Sequence, residues 1–516
     1  MTPNRIAAVA AVLSLGAGGA AWAWRTAAVG GSDSACYALM AAVFADGALQ
    51  PLSVLAHDAP WPEAGRVAAP AGFLPSAIRT DAAVPVCAPG YPWLIAPLVA
   101  VAGPVAVHLV PAAATALLIW LAFLLGRRLA SAWAGLAAAV LVATTPIVQF
   151  QAVQPMNDVT TGALWMAVAL AVSAARPVAA GLLTGAALLV RPNLAIAAAA
   201  ALVATAWLRA SPPSPGWRRR GSTALVVGGA AAAPGVVVAL LLNERLYGSP
   251  LRSGYGDLGE LFALAHVGDN VWRYGRSWIA GGTPIVLLAA LAWRLAPRPR
   301  RREAAMVTAL AVALPLVYLA YRPFDEWWYL RFLLPPVALA AVLTAVSLDG
   351  LAVRWPRVGR GLAGVVVAAV AVRAATTPQA AEARRLRALE ARFPLTAATV
   401  ASRLDAGAVP ITVWQSGGLR FWPGREVIVW DALEPEWLDP AIEWLRVHGR
   451  QPAIVVERWE EAGFRTRFAG QAYGALDWPP RYDVDRRVRI FLPEDRERYL
   501  RGDGVATETI FAVRRR

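Results

Sequence analysis

Residues 105–128 read VAVHLVPAAATALLIWLAFLLGRR, a run with no charge until Arg127 and Arg128 close it. About 20 consecutive apolar residues are enough to cross a bilayer as a helix. The run shows none of the strict apolar–polar alternation of a half-buried strand. Outward from it, further apolar runs occupy 6–24, 130–148, 159–175, 178–190, 193–208, 222–242, 279–296, 304–320, 333–348 and 361–375. The runs 178–190 and 193–208 are short and are expected to be tilted or re-entrant. The opening run resembles a signal peptide, but so many spans follow that an uncleaved first helix is expected.

Arginine placement orients these spans. With a cytoplasmic N-terminus, the inside loops hold Arg127–Arg128, Arg176, Arg209 with Arg218–Arg220, Arg298 with Arg300–Arg302, and Arg354, Arg357 and Arg360. Short basic loops on one side are what the positive-inside rule predicts. The alternate loops collect the acids Asp33, Asp58, Glu63, Asp81, Asp158, Glu244, Asp257, Glu260, Asp269, Asp325 and Glu326. Eleven spans then leave the C-terminus outside.

Composition agrees. The 516 residues are 58% hydrophobic and only 16% charged, with a mean hydropathy of +0.48. A soluble protein carries about a quarter charged residues. The formal charge is +15 and all 49 basic residues are arginine. That bias, with the Ala, Gly and Pro load, points to a bacterial genome of high GC content. Because the arginines sit in loops between spans, topology accounts for the charge and no nucleic-acid partner is expected.

Two portions are not continuously apolar. Residues 25–92 form a Pro-rich first loop with amphipathic stretches that suit a membrane surface. It contains the only cysteines, Cys36 and Cys87, for which a disulfide and two unpaired buried residues are both open. Residues 376–516 are charged and Trp-rich. There a helix is predicted at 379–405, strands near 411–414, 426–430, 453–457, 487–492 and 508–513, and helices near 435–448 and 458–468. The alternation predicts a small α/β domain. Gln415-Ser416-Gly417-Gly418 reads as a glycine turn, and with no GxGxxG after the first strand no dinucleotide is expected.

Candidate chemistry lies in the outer loops. Asp33 and Tyr37 are four apart, so a helix puts them on one face with Met40 and Phe44. An acid just beyond the first span is placed to act as a general base, although spacing alone favours a helix cap. Pro89-Gly90-Tyr91-Pro92-Trp93 reads as a rigid turn with interfacial aromatics. Asp158 in Gln154-Pro155-Met156-Asn157-Asp158 likewise reads as a cap, and it shares the outer surface with Asp33. Asp325-Glu326-Trp327-Trp328-Tyr329 reads as an acidic outer loop with an aromatic belt, with a sugar platform as the alternative reading. The four histidines, His57, His108, His266 and His448, lack ligand spacing, and structural or surface roles are expected.

Taken together, these pieces resemble the GT-C glycosyltransferase superfamily, which includes the protein O-mannosyltransferases and the lipid A aminoarabinose transferases. The match runs through Ser32-Asp33 with Tyr37 and the helix to Gly47, then Pro89-Gly90-Tyr91-Pro92, Gly126-Arg127-Arg128 and Asn157-Asp158. It continues with Gly181 to Leu189-Val190-Arg191-Pro192, Tyr247-Gly248-Ser249-Pro250, Ser253-Gly254-Tyr255 and Arg331-Phe332-Leu333-Leu334-Pro335. The resemblance covers residues 1–350. It implies a GT-C-like helical membrane domain, which with the spans above gives residues 1–375 about 11 spans in the inner (cell) membrane and leaves 376–516 as the extracytoplasmic α/β domain read from its own alternation.

The implied reaction is inverting transfer of a sugar from a polyprenyl-phosphate donor to an envelope lipid, glycan or protein. Asp33 is implied as the base and Asp158 as a second carboxylate near the acceptor. Tyr37 and Tyr91 stand in the matching motifs. Arg191, Arg252 and Arg331 are candidates for the lipid phosphate, with Tyr255 and Tyr321 as hydrogen-bond donors, whereas interfacial snorkelling is the structural alternative for Arg191 and Arg331. The expected partners are membrane lipid, the polyprenyl-phosphate sugar and an unidentified acceptor. Neither an Asp-Glu pair nor a DxD stands at the first-loop site, so no metal is carried over and metal dependence stays open. The tail matches no known acceptor-recognition domain. The rival functions are a transporter or flippase, which usually places ionisable groups within its spans, and a non-catalytic envelope scaffold.

Overall fold

The structure is a computed structural model describing residues 2–210, 215–256 and 258–511. Asp257 and the end of the expected strand 508–513 lie outside the described residues. The chain divides into two compact units. The first comprises Met1–Arg25, His108–Leu241 and Gly256–Leu386, and the second Thr26–Val107, Leu242–Tyr255 and Arg387–Arg516. Composition sets the expected boundary at 375/376, whereas contacts group the first long loop with the tail.

Among the described residues six helices are long and apolar enough to cross a bilayer, or up to nine if each of three bent pairs is one span. The apolar helices Gly90–Ala102, Asp158–Ser173 and Pro177–Val190 are shorter. The bends explain why the count departs from eleven uninterrupted runs. The pairs Ala132–Thr144 with Pro146–Ala152, Leu264–Gly281 with Pro284–Leu295, and Gly359–Ala375 with Pro378–Arg403 turn by 63°, 108° and 49°. Each second member starts on a proline, which cannot donate the bond that would continue the preceding helix.

In the first unit the helix Leu334–Ala352 is buried without interruption from Leu334 to Asp349. It packs against Ala132–Thr144, Asp158–Ser173, Pro284–Leu291 and Arg301–Ala313. Lipid tails are as apolar as leucine, so helices in a membrane associate through close packing rather than through exclusion of water. Gly181 and Gly185, one turn apart on Pro177–Val190, provide such a contact. A Cβ at Gly181 would lie 2.1 Å from the Gly228 carbonyl oxygen, and one at Gly185 would lie 2.5 Å from that of Ala232. Three of the arginine-rich loops meet at one end of this unit. Arg128 donates to the Ser173 carbonyl at 2.9 Å and pairs with Glu303 at 3.3 Å, Arg300 pairs with Glu303 at 2.7 Å, and Arg302 lies over the Trp207 ring at 4.3 Å.

The second unit is built on a five-stranded sheet in the order Val409–Ile411, Pro452–Glu457, Val488–Phe491, Tyr482–Val484, Glu508–Ile510. The first two strands are parallel, and the third is antiparallel to its neighbours. Period-2 alternation sends Ile454 and Val456 to one core and Ala453 and Val455 to the other. The first core also holds Leu55, Trp61, Val67 and Ala68, so the first long loop completes the tail's hydrophobic interior. The Glu426 carboxylate accepts from Ser53 Oγ at 2.9 Å and Val54 N at 2.6 Å, and Val429 N donates to the Val67 carbonyl at 2.7 Å. Burial opposes ionisation of Glu426, yet bonds from Arg450, Ser53 and Leu55 N prevail and hold its carboxyl below the usual range. The expected helix 379–405 is broken into Pro378–Leu389 and Arg392–Arg403, because Pro394 is tolerated only in a first turn. The strand Tyr482–Val484 and helix Pro493–Leu500 were not expected; Asp485 and Arg486 between the paired strands adopt positive φ.

At the end of strand Pro452–Glu457 two carboxylates are nearly sealed from water. Glu457 Oε1 accepts from Gln415 Nε2 at 2.9 Å and Arg392 Nε at 2.8 Å. Glu460 accepts from Trp414 N at 3.2 Å and Glu457 N at 2.8 Å. Burial pushes the Glu460 carboxyl up to about 7, with Glu457 and Asp431 adding repulsion against the two amide bonds.

Two predictions follow from packing and charge. Gly185→Val should destabilise the helical unit by about 1–3 kcal/mol, read as a lowered unfolding temperature in detergent; an unchanged temperature would remove the contact's importance. The unfolded chain loses the Glu460 proton near 4.5, so the folded unit carries the extra proton between about 4.5 and 7. Stability should therefore fall as pH rises through that window, by up to about 3 kcal/mol. Glu460→Gln should flatten this slope in pH-dependent unfolding, and an identical slope in the variant would refute the assignment.

Candidate active site

The helix Asp158–Ser173 begins at Asp158, with Asn157 in the cap position and no side-chain capping bond. Asp158 is therefore not a solvated cap. Its side chain has no exposed surface, and the guanidiniums of Arg191 and Arg331 beside it are 10% and 12% exposed. Pro192 disfavours a helical Arg191, and Arg191 ends Pro177–Val190 in an extended conformation, φ −148°. Its Nη2 donates to Asp158 Oδ1 at 2.6 Å and Asn157 Oδ1 at 2.8 Å. Asn157 Nδ2 in turn donates to the Val190 carbonyl at 3.3 Å, one of the acceptors that a helix end leaves over. Arg331 Nη1 lies 3.9 Å from Asp158 Oδ2, with its guanidinium over the rings of Phe332 at 5.1 Å and Tyr329 at 5.5 Å. Neither arginine snorkels to bulk water.

Aromatic residues wall this cluster. Tyr318 stacks on Phe332 at 5.2 Å, and Asn193 Nδ2 donates to its hydroxyl at 3.1 Å. Tyr321 packs against Phe262 at 5.0 Å and Phe332 at 5.5 Å. In the expected aromatic belt, Trp327 Nε1 donates to Glu382 at 2.7 Å and its ring meets Phe150 at 5.1 Å. A crevice between Leu141, Ile147, Trp278, Val286 and Val337 measures about 40 Å³, room for a water or two rather than for a lipid chain.

The second unit carries Asp33. Gly30 occupies the cap position of helix Gly31–Ala45 and Asp33 lies half-buried in its first turn, where the unpaired amides favour a negative charge. Tyr37, on the same face, meets Tyr91 edge-on at 5.3 Å, and a Cys36–Cys87 disulfide ties the two segments together. Backbone contacts hold the start of this helix. A Cβ at Gly72, φ +86°, would lie 2.2 Å from the Ser32 carbonyl oxygen. A Cβ at Gly417 would lie 2.2 Å from Ala35 Cβ, and one at Gly30 would strike the Phe393 ring at 2.4 Å. The tail's glycine turn is thus the beginning of a short helix, Ser416–Phe421, keyed against the helix of Asp33. Ser416 Oγ accepts from Ala71 N at 2.9 Å.

Arg252 and Tyr255 lie exposed on a segment anchored by Tyr247, whose hydroxyl donates to the Pro85 carbonyl at 2.8 Å. A Cβ at Gly254 would lie 2.0 Å from the same Pro85 oxygen. The structure thus assembles Asp158, Arg191 and Arg331 in one cluster and Tyr37 with Tyr91 in another. Asn157, Asn193 and Tyr318 complete the first, and Gly417 and Ser416 support the helix of Asp33. Only the Asn157-Asp158 pairing was visible beforehand. Among the described residues no three His, Cys, Asp or Glu side chains are grouped to hold a metal ion. In the tail triplet Asp483-Val484-Asp485, Asp483 pairs with Arg458 at 2.6 Å and Asp485 with Arg487 at 3.7 Å.

The apolar helices of the first unit and the sheet-bearing second unit give a multi-pass, GT-C-like fold of the kind seen in ArnT. Residues 85–240 match the dolichyl-phosphate-mannose-protein mannosyltransferase family model. ArnT from Cupriavidus metallidurans bound to undecaprenyl phosphate has a similar fold, with a TM-score of 0.57, 16% identity, and 90% of this chain and 94% of ArnT covered. Its apo state gives a TM-score of 0.55 at 14% identity, over 90% of this chain and 94% of ArnT. No curated protein sequence matches the chain significantly.

The buried pair has an asymmetric signature. Arg191→Met should cost about 3–5 kcal/mol, because it leaves the buried Asp158 carboxylate with only Arg331 at 3.9 Å, and adding Asp158→Asn should recover part of that loss. Unfolding of the single and double variants in detergent checks this. Strictly additive losses would show that the two groups do not interact.

Proposed function

We propose that the chain transfers a sugar, with inversion, from a polyprenyl-phosphate carrier to a hydroxyl or amine of an envelope acceptor, on the outer face of the bacterial inner membrane. The observation that carries this reading is the Asp158–Arg191–Arg331 cluster. Ionisable groups buried at the ends of apolar helices are costly and mark function. Guanidiniums match the geometry and charge of a lipid phosphate. The fold it shares with ArnT, a protein seen bound to undecaprenyl phosphate, supports a lipid-linked donor. The Cys36–Cys87 disulfide supports an oxidising, extracytoplasmic setting for the second unit.

In the proposed step the acceptor oxygen or nitrogen attacks the anomeric carbon and its proton passes to the Asp33 carboxylate. The bond from that carbon to the phosphate oxygen breaks and polyprenyl phosphate leaves as an anion. Arg191 and Arg331 stabilise the charge that develops on the leaving group. Asp158 orients these guanidiniums and is a positioning residue. Tyr37 and Tyr91 shape the face beside Asp33, and Arg252, Tyr255 and Tyr321 are assigned to substrate contacts.

Asp33→Asn should fold normally and lose about 10²–10⁴-fold in transfer. The measurement is mass spectrometry of envelope glycans from a deletion strain carrying either the wild-type or the variant gene. A variant that restores the wild-type glycans would sink the assignment of Asp33, and a deletion strain with unaltered envelope glycans would sink the transferase reading.

A further inference from the structure

Parallel strands Val409–Ile411 and Pro452–Glu457 are neighbours, and both run out at the same edge. Open sheets bind ligands beyond the carboxyl ends of parallel strands. Two tryptophans stand there. Trp414 follows the first strand and is 37% exposed, and Trp459 follows the second and is 64% exposed. Their ring centroids are 5.7 Å apart and their planes are inclined at 80°, so together they make an open corner with two aromatic walls.

These exposed rings are held in place. Trp459 Nε1 donates to Glu457 Oε2 at 2.9 Å, and the Trp414 backbone amide donates to Glu460 Oε1 at 3.2 Å. Glu457 and Glu460 are each only 3% exposed. Burying two carboxylates close together is unfavourable, as the raised Glu460 carboxyl records. Rings that served only as surface cover would not need such fixing, whereas a preorganised binding wall gains affinity from it. The corner also borders the candidate base. A Cβ at Gly31 would lie 3.9 Å from Trp414 Cζ2, and Asp33 is two residues further along the same helix.

We propose that Trp414 and Trp459 form a saccharide-binding corner that holds a sugar ring of the acceptor beside Asp33. The apolar C–H face of a pyranose stacks on the electron-rich face of an indole, and two inclined walls fix its orientation. The position next to Asp33 assigns the corner to the acceptor glycan. This rests on the transferase reading above, with the acceptor now specified as a carbohydrate rather than a peptide or a simple lipid.

The test uses full-length protein in detergent carrying Asp33→Asn, so that binding is measured without turnover, on a printed array of bacterial envelope oligosaccharides. At least one saccharide class should bind, and Trp414→Ala with Trp459→Ala should weaken it by about tenfold or more. Trp414→Phe with Trp459→Phe, which keeps the aromatic walls, should stay within about threefold of the parent. Failure to bind any saccharide, or binding indifferent to the alanine pair, would overturn the proposal. A tryptophan pair that serves only to anchor the tail on a bilayer gives no Trp-dependent binding in detergent and overturns it too. Loss of the transferase reading is seen separately, as unaltered glycans in the deletion strain.

Discussion

A carboxylate with no exposed surface is tolerated only where cations and hydrogen-bond donors replace the water it has given up. Asp158 is such a group, and much of the helical unit is arranged around its needs. The start of one apolar helix must meet the end of the next, because Asp158 opens the first and Arg191 closes the second. Arg331, in the turn that leads into the helix Leu334–Ala352, has to come to the same place. In a membrane, where dispersion contacts between apolar helices are nearly interchangeable with contacts to lipid, a polar cluster of this kind selects which helix ends come together.

The second unit follows a different rule. On one face of its sheet Leu55, Trp61, Val67 and Ala68 of the first long loop join the tail's own apolar residues in a single core. The loop has helices and a short strand pair of its own, and contacts with the tail and the disulfide tie them together. Loop and tail therefore form one folding body, although Val107 and Arg387 are 280 positions apart in the chain. Removal of the tail exposes the loop's apolar side chains to water.

Much of this was legible beforehand, and the illegible parts have physical reasons. Apolar runs without alternation announce membrane helices, and the arginine loops were expected on one side, as the meeting of Arg128, Arg300 and Glu303 illustrates. The bends were less visible, since hydropathy is blind to a proline that changes direction without lowering apolar content. The cap reading of Asp158 rested on local spacing, and only the tertiary placement of Arg191 reveals a buried pair. Gly417 and Gly418 looked like a turn because glycine is ambiguous in sequence: freedom of φ and room for a neighbour leave the same letter. Gly417 is there for room, with Ala35 filling the space of its missing side chain.

That last contact bears on how the proposed chemistry keeps its geometry. A misplacement of about 1 Å in a reacting group can cost a hundredfold in rate, so the helix that bears Asp33 has to be held rigidly. Long apolar side chains would hold it loosely, because they repack among rotamers. Besides the Phe393 ring against Gly30, three contacts here are to backbone or to its nearest carbon: Gly72 on the Ser32 carbonyl, Gly417 on Ala35 and Gly418 on the Val29 carbonyl. None of these atoms has a torsion of its own with which to yield. On the proposed reading the tail thus supports catalysis without touching the reacting atoms, through glycines whose missing side chains let one backbone fix the position of another.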